Sequence, residues 1–274
     1  MVSAITWDID PILIHFGNGG LRWYGLMWAI GIYAAWVMNH LMYKHENCPK
    51  EWSFQLFWWI VIGAVIGSRL GHCLFYGWYE TGNPYLENPL RILKIWEGGM
   101  SSHGSAAGMM VATWLLNKYR FSRYPQFKTS WLWILDRVCL GLCVTGALIR
   151  FGNLMNSEVY GNPTDLPWGF IFVRGAINPD VPCHPTQIYE IMYLMVALAV
   201  TLYMYCKTDA RLRPGLLTGV FGVIVFGVRF LVEFLKTDPN GTAGHILNMG
   251  QWLSIPLVAL GIYLIIRAYR NDRL

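Results

Sequence analysis

The segment GALIRFGNLMNSEVYG, residues 146–161, carries an apolar run as far as Arg150 and then gathers Asn153, Asn156 and Glu158 close behind it. A guanidinium offers a planar fork of N–H groups, which can grip a phosphate through two parallel, charge-assisted hydrogen bonds. Amides and a carboxylate nearby could hold that fork in place. A second guanidinium occurs in FGVRFLVEFLK, where Arg229 and Glu233 stand at i, i+4. On a helix that spacing puts both on one face. It fits an internal ion pair or one edge of a charged site, and both readings stay open. His103 lies in GGMSSHGSAAG, among small residues that let a helix or a lipid approach closely. Its imidazole reads either as a packed core group or as a base. Tyr24 adds a phenol. Two guanidiniums, an imidazole and a phenol could together handle an anionic headgroup.

These groups need elements to hold them, and composition says which kind. Of 274 residues, 55% are hydrophobic and only 14% charged, against about 25% charged in soluble domains. A span needs about 20 mostly apolar residues. Strong candidates run over 23–43, 54–76, 187–206, 215–235 and 250–267, with weaker ones at 100–117 and 130–149. The expected fold is an all-α polytopic membrane protein of about seven transmembrane helices, one domain over 1–274. Residues 77–98, broken twice at Asn-Pro, suggest an interfacial arm. Residues 150–186, rich in proline, form a large outer loop.

Positive charge sets the orientation. Lys and Arg favour cytoplasmic loops. With the N-terminus outside, Lys44, Lys50, Lys118, Arg120, Arg123, Lys128, Lys207, Arg211, Arg213, Arg267, Arg270 and Arg273 fall inside. Only Arg22, Arg91, Lys94, Arg150, Arg174 and Lys236 fall outside. The N-terminus is therefore expected outside and the C-terminus in the cytoplasm. That places Arg150, Arg229, Glu233, His103 and Tyr24 toward the outer leaflet. The start, MVSAITWDIDP, has no basic region of the kind that opens a cleaved secretory signal. The net charge of +5 mostly follows the inside bias, and no nucleic-acid groove is indicated.

Ionisable residues within spans are costly and usually face the bundle interior. Those followed here are Arg69, His72, Asp136, Arg137, Arg229 and Glu233, with Arg150 at a helix mouth. Asp136 and Arg137 are adjacent, point different ways, and are expected to be structural. No CxxC pair occurs, so neither a zinc site nor a disulfide framework is indicated. Cys139 and Cys143 read as small packing residues.

The blocks RWYGLMW, GSRLGHCLFY, WEGGMSSHG, RFGNLMNSEVYG, HPTQIYE, RFLVEF and MGQWLSIP occur in order along nearly the whole chain. In this the chain resembles the prolipoprotein diacylglyceryl transferase family. The resemblance implies transfer of the diacylglyceryl group of phosphatidylglycerol to the lipobox cysteine of a prolipoprotein. A thioether forms, glycerol phosphate leaves, and the setting is the bacterial inner membrane among membrane lipids. It further implies Arg150 and Arg229 at the phosphate, with Glu233 orienting Arg229, and His103 as the base. Tyr24 and Asn153 would line the lipid site, completed by Asn156, Glu158 and Gly161. No cofactor or metal is expected. Ser105 stands where the family usually has glycine, and Val225 where it commonly has tyrosine.

Other classes fit less well. A transporter commonly shows repeats and paired broken helices, and neither is visible in the sequence. Ser101 and Ser102 adjoin His103, but no G-x-S-x-G elbow is present. A purely structural subunit leaves the outer-leaflet cluster unexplained. The topology is testable with reporter fusions. One after Lys128 should read cytoplasmic and one after Arg174 external; the reverse pattern would overturn the orientation.

Overall fold

The computed structural model describes residues 4–17, 19–76, 85, 88–94, 99–176, 180–236 and 247–270. Seven long α-helices occur among the described residues: α1 Trp23–His45, α2 Glu51–Gly71, α3 Ser102–Tyr119, α4 Trp131–Met155, α5 Thr186–Lys207, α6 Leu216–Val232 and α7 Met249–Arg270. Among the described residues, five stretches are long and apolar enough to cross a membrane: Glu51–Leu74, Trp131–Met155, Thr186–Lys207, Leu216–Leu235 and Met249–Arg270. The chain is thus a predominantly helical, polytopic membrane protein. The described residues also hold five short strands beside the expected helices: β1 Ile5–Trp7, β2 Ile12–Phe16, β3 Gly19–Arg22, β4 Phe170–Phe172 and β5 Pro182–Cys183. Of the segment expected as an interfacial arm, residues 77–84, 86–87 and 95–98 lie outside the described residues.

The chain divides into two compact units, one of Met1–Met38 with Asp136–Leu274 and one of Asn39–Leu135. In the smaller unit, α2 and α3 meet through glycines. Gly63, Gly67 and Gly71 recur every fourth residue on α2 and face Gly104 and Gly108 on α3. A Cβ on Gly71 would lie 2.6 Å from the Gly104 Cα, and one on Gly67 would lie 2.6 Å from the Gly108 Cα. Lipid tails are as apolar as leucine, so close backbone packing is what associates helices there. The small residues around His103 therefore serve a helix contact. Ser101 caps α3, its Oγ accepting from the Gly104 N–H at 3.2 Å.

Arg69, 4% exposed, clamps the segment that follows α2. Its guanidinium donates to the carbonyls of Ile92 at 2.9 Å, Arg91 at 2.6 Å and Gly99 at 3.3 Å, and lies over the Tyr85 ring. An aromatic cluster fills another part of this unit: Trp52 stacks on Phe121 at 4.0 Å and Tyr43 on Trp133 at 5.6 Å.

In the larger unit α1 lies along α4. A Cβ on Gly152 would meet the Tyr24 Cα at 3.1 Å, and seven residues away on each helix Thr145 donates its hydroxyl to the Gly31 carbonyl at 2.9 Å. Helices α6 and α7 approach through Gly219 and Gly261. The expected outer loop folds back on the N-terminal segment: β1 pairs parallel with β4, which pairs antiparallel with β5. The Trp7 indole fastens this sheet to the end of α4 by donating to the Leu154 carbonyl at 2.9 Å. An Arg174–Asp8 pair at 2.7 Å adds little, because both side chains are about half exposed.

Asp136 and Arg137 both have structural roles. Fully buried Asp136 accepts from the backbone N–H of Gly215 at 2.7 Å and of Thr218 at 2.8 Å, and from the Thr218 hydroxyl at 2.7 Å. It therefore caps the N-terminus of α6 from a neighbouring helix, satisfying donors that the helix itself cannot. Arg137 points elsewhere, donating to the Arg211 carbonyl at 3.3 Å and lying over the Tyr205 ring. Hydrogen bonds to a charged group are worth about 1.5–3 kcal/mol each. Asp136→Ala should thus cost at least about 3 kcal/mol of stability, read as a lower unfolding temperature in detergent, and Thr218→Val less. A wild-type melting curve for Asp136→Ala would remove the cap from the account.

Candidate functional site

The site begins where α4 ends. The Ser157 N–H reaches the Leu154 carbonyl at 3.1 Å and the Glu158 N–H the Asn153 carbonyl at 2.9 Å, with Ser157 at φ 54°. This is a Schellman closure with serine at the left-handed position that glycine usually takes. Val159 follows at φ 59°, a conformation costly for a β-branched residue. The first turn of α5 holds this strained backbone. Thr186 Oγ1 donates to the Val159 carbonyl at 2.8 Å, and Gln187 Nε2 donates to the Glu158 carbonyl at 2.7 Å.

The turn brings polar side chains together. Arg150 Nη1 donates to Asn153 Oδ1 at 3.2 Å, while Asn153 Nδ2 and Asn156 Nδ2 reach the two Glu158 oxygens at 3.5 and 3.4 Å. Asn153 and Glu158 thus sit behind Arg150 in series, and Asn156 joins through Glu158. Gly161 has a spatial role. A Cβ there would collide with the Leu235 carbonyl and lie 2.8 Å from both His184 and Thr186. That close approach lets 161–162 pair with 235–236, the Asn162 N–H reaching the Leu235 carbonyl at 2.7 Å.

The centre of the site is a residue not singled out from the sequence. Glu190 is fully buried on the inward face of α5; its Oε2 meets Arg150 Nε at 2.5 Å and its Oε1 meets Lys236 Nζ at 2.9 Å. Lys236 also reaches Glu233 Oε2 at 3.1 Å. The Tyr193 hydroxyl donates to Glu190 at 3.4 Å and lies within electrostatic reach of both Arg150 and Arg229. A signal for Glu190 was present, since it is the one charged residue in the apolar run 187–206. Lys236 carries no comparable mark: it enters the sequence reading only as an outer charge.

One expected contact is corrected. Glu233 does not orient Arg229; it pairs with Lys236. The α-helix ends at Val232 and Glu233–Leu235 form a 3-10 turn; the Glu233 N–H still reaches the Arg229 carbonyl, and it is the Lys236 ammonium, three residues on, that takes its carboxylate. Among the described residues, Arg229 has neither a carboxylate nor a hydrogen-bond partner. Tyr24, half-buried, packs on the Gly152 backbone at the first turn of α1. The structure therefore brings together Tyr24, Arg150, Asn153, Asn156, Glu158 and Gly161 on one side and Arg229 with Glu233 on the other, joined through Glu190, Tyr193 and Lys236. His103 belongs to the smaller unit, exposed in the first turn of α3.

A second imidazole borders the site. The His184 carbonyl accepts from the Gly161 N–H at 2.8 Å, and its Nδ1 lies 3.2 Å from the Tyr189 hydroxyl, which accepts from the Trp168 indole at 2.8 Å. Partial burial pushes the His184 pKa below its ordinary value, which favours the neutral ring. No group of three or more His, Cys, Asp or Glu able to hold a metal occurs among the described residues.

Among the described residues, the contacts of the Arg150 guanidinium fall on Nε and Nη1 and none on Nη2. That end of the guanidinium can still make a two-point contact with a phosphate. The arrangement is a cluster of cations braced by carboxylates, Glu190 among them fully buried. Comparison with known proteins gives the family. A family model described as prolipoprotein diacylglyceryl transferase matches residues 11–267. A phosphatidylglycerol–prolipoprotein diacylglyceryl transferase of Porphyromonas gingivalis is 41% identical, over 98% of this chain and 96% of its own length. Those of Tolumonas auensis and Chloroherpeton thalassium are 40% and 38% identical; they cover 96% and 99% of this chain, and 96% and 97% of their own lengths. The chain belongs to the prolipoprotein diacylglyceryl transferase family.

Proposed function

We propose that this protein transfers the diacylglyceryl group of phosphatidylglycerol to the cysteine thiol of a prolipoprotein, the first step of lipoprotein maturation. The observation that carries the reading is Arg150, held by Glu190 and Asn153 with one edge left open, in a chain of this family. The cysteine sulfur attacks the saturated glycerol carbon that bears the phosphate. A C–S bond forms, the C–O bond breaks, the thiol proton passes to a base, and glycerol phosphate departs. No tetrahedral acyl intermediate arises, so catalysis rests on positive charge at the leaving phosphate. Arg150 grips it through Nη1 and Nη2, and Arg229 supplies a second cation. Tyr24 and Asn153 line the lipid beside Arg150.

In this reading all seven helices cross the bacterial inner membrane, with the N-terminus outside, the C-terminus in the cytoplasm and the site at the outer leaflet. His103 takes the thiol proton, since a thiol of pKa about 8.5 is only a few per cent thiolate at neutral pH. Incubating the purified protein with phosphatidylglycerol and a lipobox peptide should add the mass of one diacylglyceryl group to the peptide cysteine. An unmodified peptide, from a folded preparation, would reject the proposal.

The grip on the phosphate is tested by Arg150→Lys. A lost charge-assisted bond is worth about 1.5–3 kcal/mol, or roughly 10- to 150-fold in rate when it acts in the transition state. Lysine cannot serve Glu190 and a phosphate along two edges of one plane. Turnover should fall at least about tenfold while Arg150→Lys stays folded in detergent; Arg150→Ala should lose more turnover and melt lower, because it strips one partner from buried Glu190. Wild-type turnover in Arg150→Lys would leave only a need for charge.

The base is assigned by comparing imidazoles. General-base catalysis contributes about 10²–10⁴-fold. His103→Gln should therefore lose about 10²-fold or more in turnover with lipid binding retained, and His184→Gln much less. The reverse order would move the role to His184, which borders Gly161.

A further inference from the structure

A separate cavity opens in the smaller unit, where α1 ends and α2 begins. Its volume is about 520 Å³, and Lys44, Lys50, His40 and the Asn47 amide line it, within the range that holds a small ligand. Ser53 fastens the two sides. Its Oγ lies 3.0 Å from His40 Nδ1 and donates to the Lys50 carbonyl at 3.3 Å. The walls are therefore set before any ligand arrives, which lowers the ordering cost of binding. Lys50 is also the N-cap of α2, where no side chain caps the helix, and with Ser53 it puts the first turn of the helix, its positive end, into the lining. The acidic residues of the turn, Glu46 and Glu51, are not part of the lining. Two ammonium groups, an imidazole, an amide and a helix N-terminus make a receptor for a multiply charged oxyanion.

The position of the cavity says where such an anion would come from. The stretch Glu51–Leu74, long enough to cross a membrane, starts at its rim, so the cavity lies at headgroup depth whichever face it belongs to. We propose that the α1–α2 turn is a second anion site, independent of the transfer site, which takes a phosphate group carried by an anionic lipid or by a free phosphate. Lys44 and Lys50 neutralise the phosphate, and the Asn47 amide and the backbone N–H groups at the α2 N-terminus donate to its remaining oxygens.

The test uses the full-length protein. In native mass spectrometry of delipidated protein titrated with dioleoyl phosphatidic acid, wild type should retain one more lipid than Lys44→Gln/Lys50→Gln. Affinity at that step should fall about tenfold or more on losing two membrane-surface lysines. The double variant should transfer diacylglyceryl groups at the wild-type rate. Cys48, which also lines the cavity, gives a readout on the unmodified chain through mapped alkylation by N-ethylmaleimide. Protection by phosphatidic acid but not by millimolar inorganic phosphate identifies a lipid headgroup; protection by inorganic phosphate as well, or alone, identifies the free anion. Equal lipid retention by the two proteins, with no protection of Cys48 by either probe, would overturn the site.

Discussion

A carboxylate with no exposed surface inside an apolar bundle must be neutralised, and here Glu190 is shared by two cations, Arg150 Nε on one oxygen and Lys236 Nζ on the other. Removing one partner from such a pair leaves a buried charge, at a cost of about 3–5 kcal/mol. That constraint ties three separate parts of the chain together. It fixes the guanidinium plane at the mouth of α4, draws the 233–236 turn against the 158–162 segment, and sets the rotation of α5 so that Tyr193 follows Glu190 inward.

The surrounding fold can be seen as what keeps this ion set aligned. The Schellman turn at Ser157 returns the chain after α4, and Thr186 and Gln187 hold its strained carbonyls from the start of the helix that carries Glu190. Gly161 lets the Lys236 strand approach where any side chain would collide. Farther along, Asp136 caps α6 and so fixes the start of the helix that ends beside the site. Each of these contacts is a local answer to an unmet backbone group. Their combined effect is to hold Arg150 within its few ångströms.

Much of this was legible in the sequence. Apolar run length located the seven long helices described, five of which are long and apolar enough to cross a membrane. Arg150, Asn153 and Glu158 are neighbours in sequence, so their spacing already implied contact. The contact between Arg229 and Glu233 was misread because i, i+4 spacing gives backbone register but not the side-chain partner, and Lys236 takes the Glu233 carboxylate. Glu190 was legible as a lone charge in an apolar run and was passed over. Lys236 was not legible, because only tertiary pairing of 161–162 with 235–236 brings it in. The sheet of β1, β4 and β5 was hidden for the same reason: β1 finds its partner more than 160 residues away, and its strands are only two or three residues long.

The charge inventory finally explains why an arginine is left open. Arg150, Lys236 and Arg229 face Glu190, Glu233 and Glu158, so the cluster is neutral as it stands. Glu190 and Glu233 are bound to Lys236 and Arg150, and Glu158 is spent on amides, so Arg229 alone has no carboxylate among the described residues. The reaction proposed here turns a singly charged phosphodiester into a phosphomonoester carrying close to two charges, since the second ionisation of a phosphomonoester has a pKa of about 6. Negative charge therefore grows as the C–O bond breaks. A cation already paired would have to give up its carboxylate to meet that charge. An unpaired one, held in place by its helix, meets it without reorganisation, which is where fixed charges stabilise a transition state most.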